Sequence, residues 1–326
     1  MTRTPLTSGD LPWLTSPMRL LAGAHAAGRL AHALLIHESP GTGGDQLALW
    51  AAKLVLCSEP ARAPCGVCLA CRRVDTAQHP DLVRLQPMEE SKQIRIDEVR
   101  ELIADLTLTS HQGGFKVAII SPADALNRNS ANALLKTLEE PTPQTLLMLV
   151  ATQPSRLPAT LLSRCQRIRI RPPARSEALA WLQSKKGPGD WNSVLDTLGE
   201  APLWATDVDP KSVAEFAVET RRVLDETDGG GADPALTAER WWRTDLPLRL
   251  LCIENWLTDR IRGHFARDGI SVEMPSAMHL QRGARVPNIP RLFTLVDAVQ
   301  DLKSTLDTPI NRSLALESLL RRVAAM

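Results

Sequence analysis

The chain of 326 residues has almost no excess charge: 38 lysines and arginines face 37 aspartates and glutamates. Without a basic surplus there is no global field to draw in a polyanion, so any nucleic-acid contact has to be a local patch. Long apolar runs are also missing. The longest, Leu146 to Ala151, falls far short of the ~20 residues that span a bilayer, so no membrane partner is expected. The N-terminus lacks the charged-then-apolar pattern of a signal peptide, and a cytoplasmic location is the expectation. Ser39 has no G-x-S-x-G context, which argues against a hydrolase elbow. What remains is a globular composition, 44% hydrophobic and 23% charged, in a chain long enough for two or three domains.

Residues 1–171 read as an α/β domain. Short apolar runs recur at Ala33 to Ile36, Asp81 to Leu85, Val117 to Ile120 and Leu146 to Val150, as buried parallel strands do. Between them, Ile96 to Leu106 and Ser130 to Glu140 carry apolar residues at helical spacing, and Pro141 stops the second. Strands alternating with helices predict a parallel sheet covered on both faces. After Pro172-Pro173 the strand signals end. Residues 172–208 read as a small helical lid interrupted by Gly187-Pro188-Gly189, and 209–326 as an all-helical collar.

The segment His37-Glu38-Ser39-Pro40-Gly41-Thr42-Gly43-Gly44-Asp45 follows the first strand and opens a helix. A phosphate-binding loop there has the form G-x-x-x-x-G-K-[ST]. Its backbone amides wrap phosphate, its lysine meets the terminal oxygens and its hydroxyl holds magnesium. Aligned on Gly43, Glu38 replaces the first glycine, Gly44 the lysine and Asp45 the hydroxyl residue. Losing the lysine contact alone costs about 2–3 kcal/mol, roughly a hundredfold in affinity. From the loop alone, a decayed phosphate site and an ordinary glycine-rich turn fit equally. A second position weighs in. The acidic residues that hold Mg²⁺ and polarise water belong at the end of the strand Val117 to Ile120, where Ser121 and Pro122 stand instead. Both halves of a hydrolytic apparatus are emptied together. On these grounds the chain binds no ATP; Gly44→Lys with Asp45→Thr could recover binding but not hydrolysis, since Ser121 and Pro122 still supply no metal ligand or base.

At this point the chain resembles a known family. "GRLAHALLIHESPGTGG" and "KVAIISPADALNRNSANALLKTLEEPTPQTLLMLVATQPSRLPATLLSRCQRIRI" are similar to the clamp-loader AAA+ proteins of bacterial replication, and "NRSLALESLL" resembles their last collar helix. The resemblance implies a P-loop AAA+-like domain with a parallel sheet, then a helical lid and an all-α collar. It implies a ring with the delta and gamma/tau subunits of DNA polymerase III, meeting the sliding clamp and primer-template DNA through that complex. The ATPase members keep the lysine and the acidic motif, so the departures at Gly44, Asp45, Ser121 and Pro122 imply a non-hydrolysing stator. Trp204 stands where ATPase members put a phosphate-sensing arginine. The resemblance also implies that Arg164, in Ser163-Arg164-Cys165, reaches into a neighbour's ATP site. The rival readings are a gamma/tau-like ATPase with a variant loop, and a stand-alone zinc-containing nucleic-acid-binding module.

Cys57, Cys65, Cys68 and Cys71 have the spacing C-x7-C-x2-C-x2-C. Four thiolates can close a tetrahedron around Zn²⁺, and with no open position the site would be structural. The family's zinc module, inserted after the P-loop helix, lies in the same place. The alternation Arg167-Ile168-Arg169-Ile170-Arg171 reads as a strand with one solvated face. His32, His79 and His111 lack ligand or nucleophile spacing and read as structural. Trp241, Trp242 and Trp256 read as core or interface residues.

Overall fold

A computed structural model describes residues 10–88, 91, 93–111, 114–267, 289–306 and 311–326. The chain divides into two compact units, with the boundary between Ala174 and Arg175.

Among its described residues the first unit holds five strands: β1 (Ala33–His37), β2 (Leu82–Leu85), β3 (Lys116–Ile120), β4 (Thr145–Ala151) and β5 (Gln166–Arg169). They pair in the order β2-β3-β4-β1-β5, all parallel. The apolar runs become strands because β-branched and leucine side chains are buried on both faces; every residue of β3 and β4 is buried. Among the described residues, seven α-helices accompany the sheet: α1 (Thr15–Ala26), α2 (Gly44–Leu56), α3 (Leu69–Asp75), α4 (Ile96–Thr107), α5 (Arg128–Ala133), α6 (Leu135–Glu139) and α7 (Ala159–Leu162).

One core joins Leu35, Ala118, Ile120, Leu147 and Leu149 of the sheet to Val99, Leu102 and Leu106 of α4 and Leu138 of α6. On β1 the alternate residues Leu34 and Ile36 are buried as well, and α2 packs against β1 and β4. The helix predicted over Ser130 to Glu140 divides at Leu134. There the amide of Leu134 bonds the Ala131 carbonyl three residues back, at 3.3 Å, tightening the turn while Leu134 and Leu138 stay in the core.

Strand order places β1 between β4 and β5, so the chain leaves β1 for the far side of the sheet and returns beside it. The loop from Glu38 to Gly43 therefore sits at the carboxyl end of the sheet next to a topological switch point, where open α/β sheets hold ligands.

The second unit is helical: α8 (Arg175–Lys186), α9 (Trp191–Leu198), α10 (Pro202–Ala205), α11 (Pro210–Asp228), α12 (Pro234–Trp241), α13 (Leu246–Arg267), α14 (Ile289–Thr305) and α15 (Arg312–Ala324). Val223, Leu224, Trp241, Leu250, Ile253, Trp256, Leu292, Leu295, Leu316 and Leu320 share its core. The apolar stripes of α13, α14 and α15 meet there. Trp241 and Trp256 are buried, as the sequence reading expects, while Trp204 is exposed.

Candidate functional site

The loop after β1 turns on two glycines. Gly41 and Gly43 have φ of 70° and 104°, a left-handed conformation that side chains with a Cβ rarely adopt. Thr42 is fully buried, and its hydroxyl donates to the Ser39 carbonyl at 2.7 Å. The indole of Trp13 donates to the Thr42 carbonyl, also at 2.7 Å.

The chemistry of the loop is altered. The amide of Gly44, the first residue of α2, has no partner within its helix. It donates to Oε2 of Glu38 at 2.6 Å. Burial pushes the Glu38 carboxyl above its ordinary pKa; the Gly44 amide opposes that shift and the nearby Asp45 charge adds to it. Oδ1 of Asp45 is buried without a hydrogen-bond partner. The next lysine along α2, Lys53, is buried and paired with Asp75 at 2.7 Å, so it supplies no cation to the loop.

A Cβ on residue 44 would lie 2.6 Å from Cδ and Oε1 of Glu38 and 2.6 Å from Cγ1 of Val150. Gly44→Lys therefore requires the Glu38 and Val150 side chains to shift.

At the carboxyl end of β3, Ser121 is buried and its amide bonds the Leu85 carbonyl of β2 at 3.0 Å. Pro122 offers neither a metal ligand nor a base. The nearest carboxylate downstream, Asp124, is engaged elsewhere. Its Oδ2 accepts from the Thr152 amide at 2.9 Å, the Thr152 hydroxyl at 2.8 Å and the Gln153 amide at 2.9 Å. It ties the end of β4 to the loop after β3. Nothing in the local sequence marked Asp124 for this role, because its partners lie in the segment that follows β4.

Arg164 follows α7 and precedes β5. Its guanidinium is about one-third exposed, sits 2.5 Å from Oε1 of Glu139 and donates to the Thr160 carbonyl at 2.8 Å. The neighbouring Cys165 is buried in the core, and burial pushes its thiol up to about 11. Arg167 and Arg169 are exposed on either side of buried Ile168, which is the solvated strand face the alternation predicts. His32 and His79 have structural contacts, to the Leu138 carbonyl at 3.0 Å and the Asp81 amide at 3.1 Å.

The four clustered cysteines are drawn together by the turn from α2 to α3. Their sulfurs all lie within 4.8 Å of one another, and Cys57 and Cys68 are 3.9 Å apart. Tetrahedral zinc with bonds of about 2.3 Å needs sulfurs about 3.8 Å apart. Amides of Cys65, Cys68 and Cys71 point at the sulfurs of Cys57, Cys65 and Cys68, at 3.5, 3.3 and 3.4 Å. The Cys68 thiol is pushed up by burial, but amides and neighbouring thiols outweigh this and bring it down to about 6. Burial drives Cys71 up instead. Four thiols this close cannot all ionise unaided, and a divalent cation removes the conflict by binding four thiolates. The residues present fit a structural zinc ion.

Comparison with known proteins agrees with this fold. Residues 14–174 match the family described as DNA polymerase III, delta subunit. The DNA polymerase III subunit delta' of Pseudomonas aeruginosa is 35% identical over 263 residues, 79% of each chain. That of Yersinia pestis is 41% identical over 172 residues, 52% of this chain and 51% of its own. Subunit tau of Escherichia coli is 34% identical over 168 residues, 51% of this chain and 26% of its own. Among solved structures, a gamma subunit-related protein from Thermotoga maritima superposes with a TM-score of 0.50 at 14% identity, covering 96% of this chain and 99% of that one. This chain belongs to the delta-prime family of DNA polymerase III subunits.

Proposed function

We propose that the chain is the non-hydrolysing stator of a bacterial DNA polymerase III clamp loader, helping to place the sliding clamp on primed DNA. One observation carries the reading: the phosphate loop keeps its glycine turns while Glu38 and Gly44 leave it no cation, and Ser121 and Pro122 replace the hydrolytic carboxylates. Such a subunit binds no ATP and turns none over by itself. Its contribution to hydrolysis is Arg164, which presents a planar, permanently charged fork to the γ-phosphate held by a neighbouring gamma/tau subunit.

In this reading residues 172–208 form a lid and 209–326 a collar that joins the ring, with the delta subunit as a further neighbour. The clamp and primer-template DNA are met through the assembly, which operates in the cytoplasm. No helix among the described residues is long and apolar enough to cross a membrane, in keeping with that setting. Cys57, Cys65, Cys68 and Cys71 hold one structural Zn²⁺, which cross-links the segment between α2 and α3 and takes no part in phosphoryl transfer.

Purification of the complex from cells followed by native mass spectrometry tests the assignment. One copy or more of this chain should appear in a particle with gamma/tau and delta subunits. Recovery of the chain only as a free species, with no replication subunit attached, would refute it.

A further inference from the structure

Glu38 and Gly44 exchange roles relative to a working phosphate loop. Where that loop has a glycine followed five residues later by Gly-Lys, this chain has a carboxylate at the first position and no side chain at the last. The two positions touch. The Glu38 carboxylate lies 2.6 Å from the Gly44 amide, and the space beside the Gly44 Cα is filled by Cδ and Oε1 of the same glutamate. The Thr42 hydroxyl lies 3.4 Å from the same oxygen, Oε2.

The first amides of a helix following a glycine turn are the donors that a phosphate oxygen accepts. Here one of them already has an anionic oxygen on it, supplied by the chain itself. Gly44 permits this, since any Cβ at that position would displace the carboxylate.

We infer that Glu38 is an internal ligand of the loop, a carboxylate seated where a phosphate oxygen would bind, and that it holds the loop closed to polyphosphates. This rests on the reading that the chain binds no nucleotide, and it assigns that property to one side chain as well as to the missing lysine. An intact loop becomes ordered around its nucleotide. This loop is ordered around Glu38, which suits a subunit that must be rigid without ATP. Glu38→Gln keeps an acceptor oxygen for the Gly44 amide, whereas Glu38→Ala removes it.

The test is amide exchange and chemical shift at Gly44 in the full ¹⁵N-labelled chain, with Mg²⁺ and inorganic pyrophosphate as the probe. In the wild type and Glu38→Gln, the Gly44 amide should be protected and unmoved by pyrophosphate. In Glu38→Ala it should exchange up to about tenfold faster, the scale of one lost hydrogen bond, and its resonance should shift as pyrophosphate is added. Unchanged exchange in Glu38→Ala, or no shift with pyrophosphate, would overturn the inference. An unfolding cycle of Glu38→Ala, Gly44→Ala and the double variant gives a second readout. Gly44→Ala should destabilise less when Glu38 is absent, and strict additivity would count against the contact. Binding of Mg-ATP to the wild-type chain would instead sink the non-nucleotide reading itself, a separate result.

Discussion

Arg164 is paired with Glu139 of its own chain, Nη2 to Oε1 at 2.5 Å, while its Nη1 donates to the Thr160 carbonyl at 2.8 Å. Both partners are partly solvent-exposed. An ion pair of this kind fixes a rotamer more than it stabilises a fold, contributing about 0–1 kcal/mol. Glu139 thus presents the guanidinium at the surface without trapping it.

Arg164→Ala should leave the mass of the reconstituted complex unchanged and reduce its DNA-stimulated ATPase and clamp loading. A trans-acting arginine is worth about 10³–10⁵ in rate at the one site it serves. Thermal unfolding of the isolated variant should match the wild type closely. Arg167→Ala, on the exposed face of β5, is the control. Equal loss of activity in both variants would replace the finger with a diffuse basic patch.

Glu38 makes a pH-dependent contribution to the first unit. Burial, first of all, raises its folded-state pKa above the unfolded value. The folded state then binds the proton more tightly, so stability from this group is complete below the unfolded pKa and is lost as pH rises through the folded one. At neutral pH the ionised carboxylate is a cost. Glu38→Gln should therefore unfold at higher denaturant than the wild type at pH 7, and the gap should close as the pH falls into the ordinary carboxylate range. A gap that stays constant across this window would contradict a raised pKa.

Metal analysis of protein purified without chelator should return one zinc per chain. Cys68→Ser should lower that content and loosen the segment around α3, while the helical unit keeps its unfolding transition. Well-folded wild-type protein with no zinc would refute the assignment.

The second unit contains a buried cation. Arg249 is 5% exposed, bonded to Glu219 and to the Thr220 hydroxyl, with its guanidinium 3.9 Å from the Phe216 ring centre and 4.6 Å from that of Trp241. Glu219→Ala removes the charge partner of a buried arginine and should destabilise this unit by roughly 3–5 kcal/mol. Arg240→Ala removes only an exposed contact to the same glutamate, at 3.5 Å. It should cost less than about 1 kcal/mol in the same urea titration.

How much could be read in advance depends on the range of each interaction. Four of the strands were legible because each is a short apolar run with its own boundaries, the fifth through its alternation of arginine and isoleucine, and the cysteine cluster because its members lie close together in the sequence. The pairing of Arg164 with Glu139 was not legible, since the two residues stand 25 positions apart on separate elements. Asp124 carried no sequence signal, because its partners Thr152 and Gln153 follow β4, 28 and 29 residues further along the chain. The replacement of glycine by Glu38 and of lysine by Gly44 was visible as two losses. That they form one contact depends on the path of the loop and on a side-chain rotamer, and no local pattern encodes either.

The central claim is that this loop is closed to nucleotide, and calorimetric titration of Mg-ATP into the isolated full-length chain tests it most directly. No saturable heat is expected at physiological nucleotide concentration, because Gly44 supplies no cation and Glu38 and Asp45 place carboxylates at the loop. Saturable binding with a micromolar Kd would contradict it.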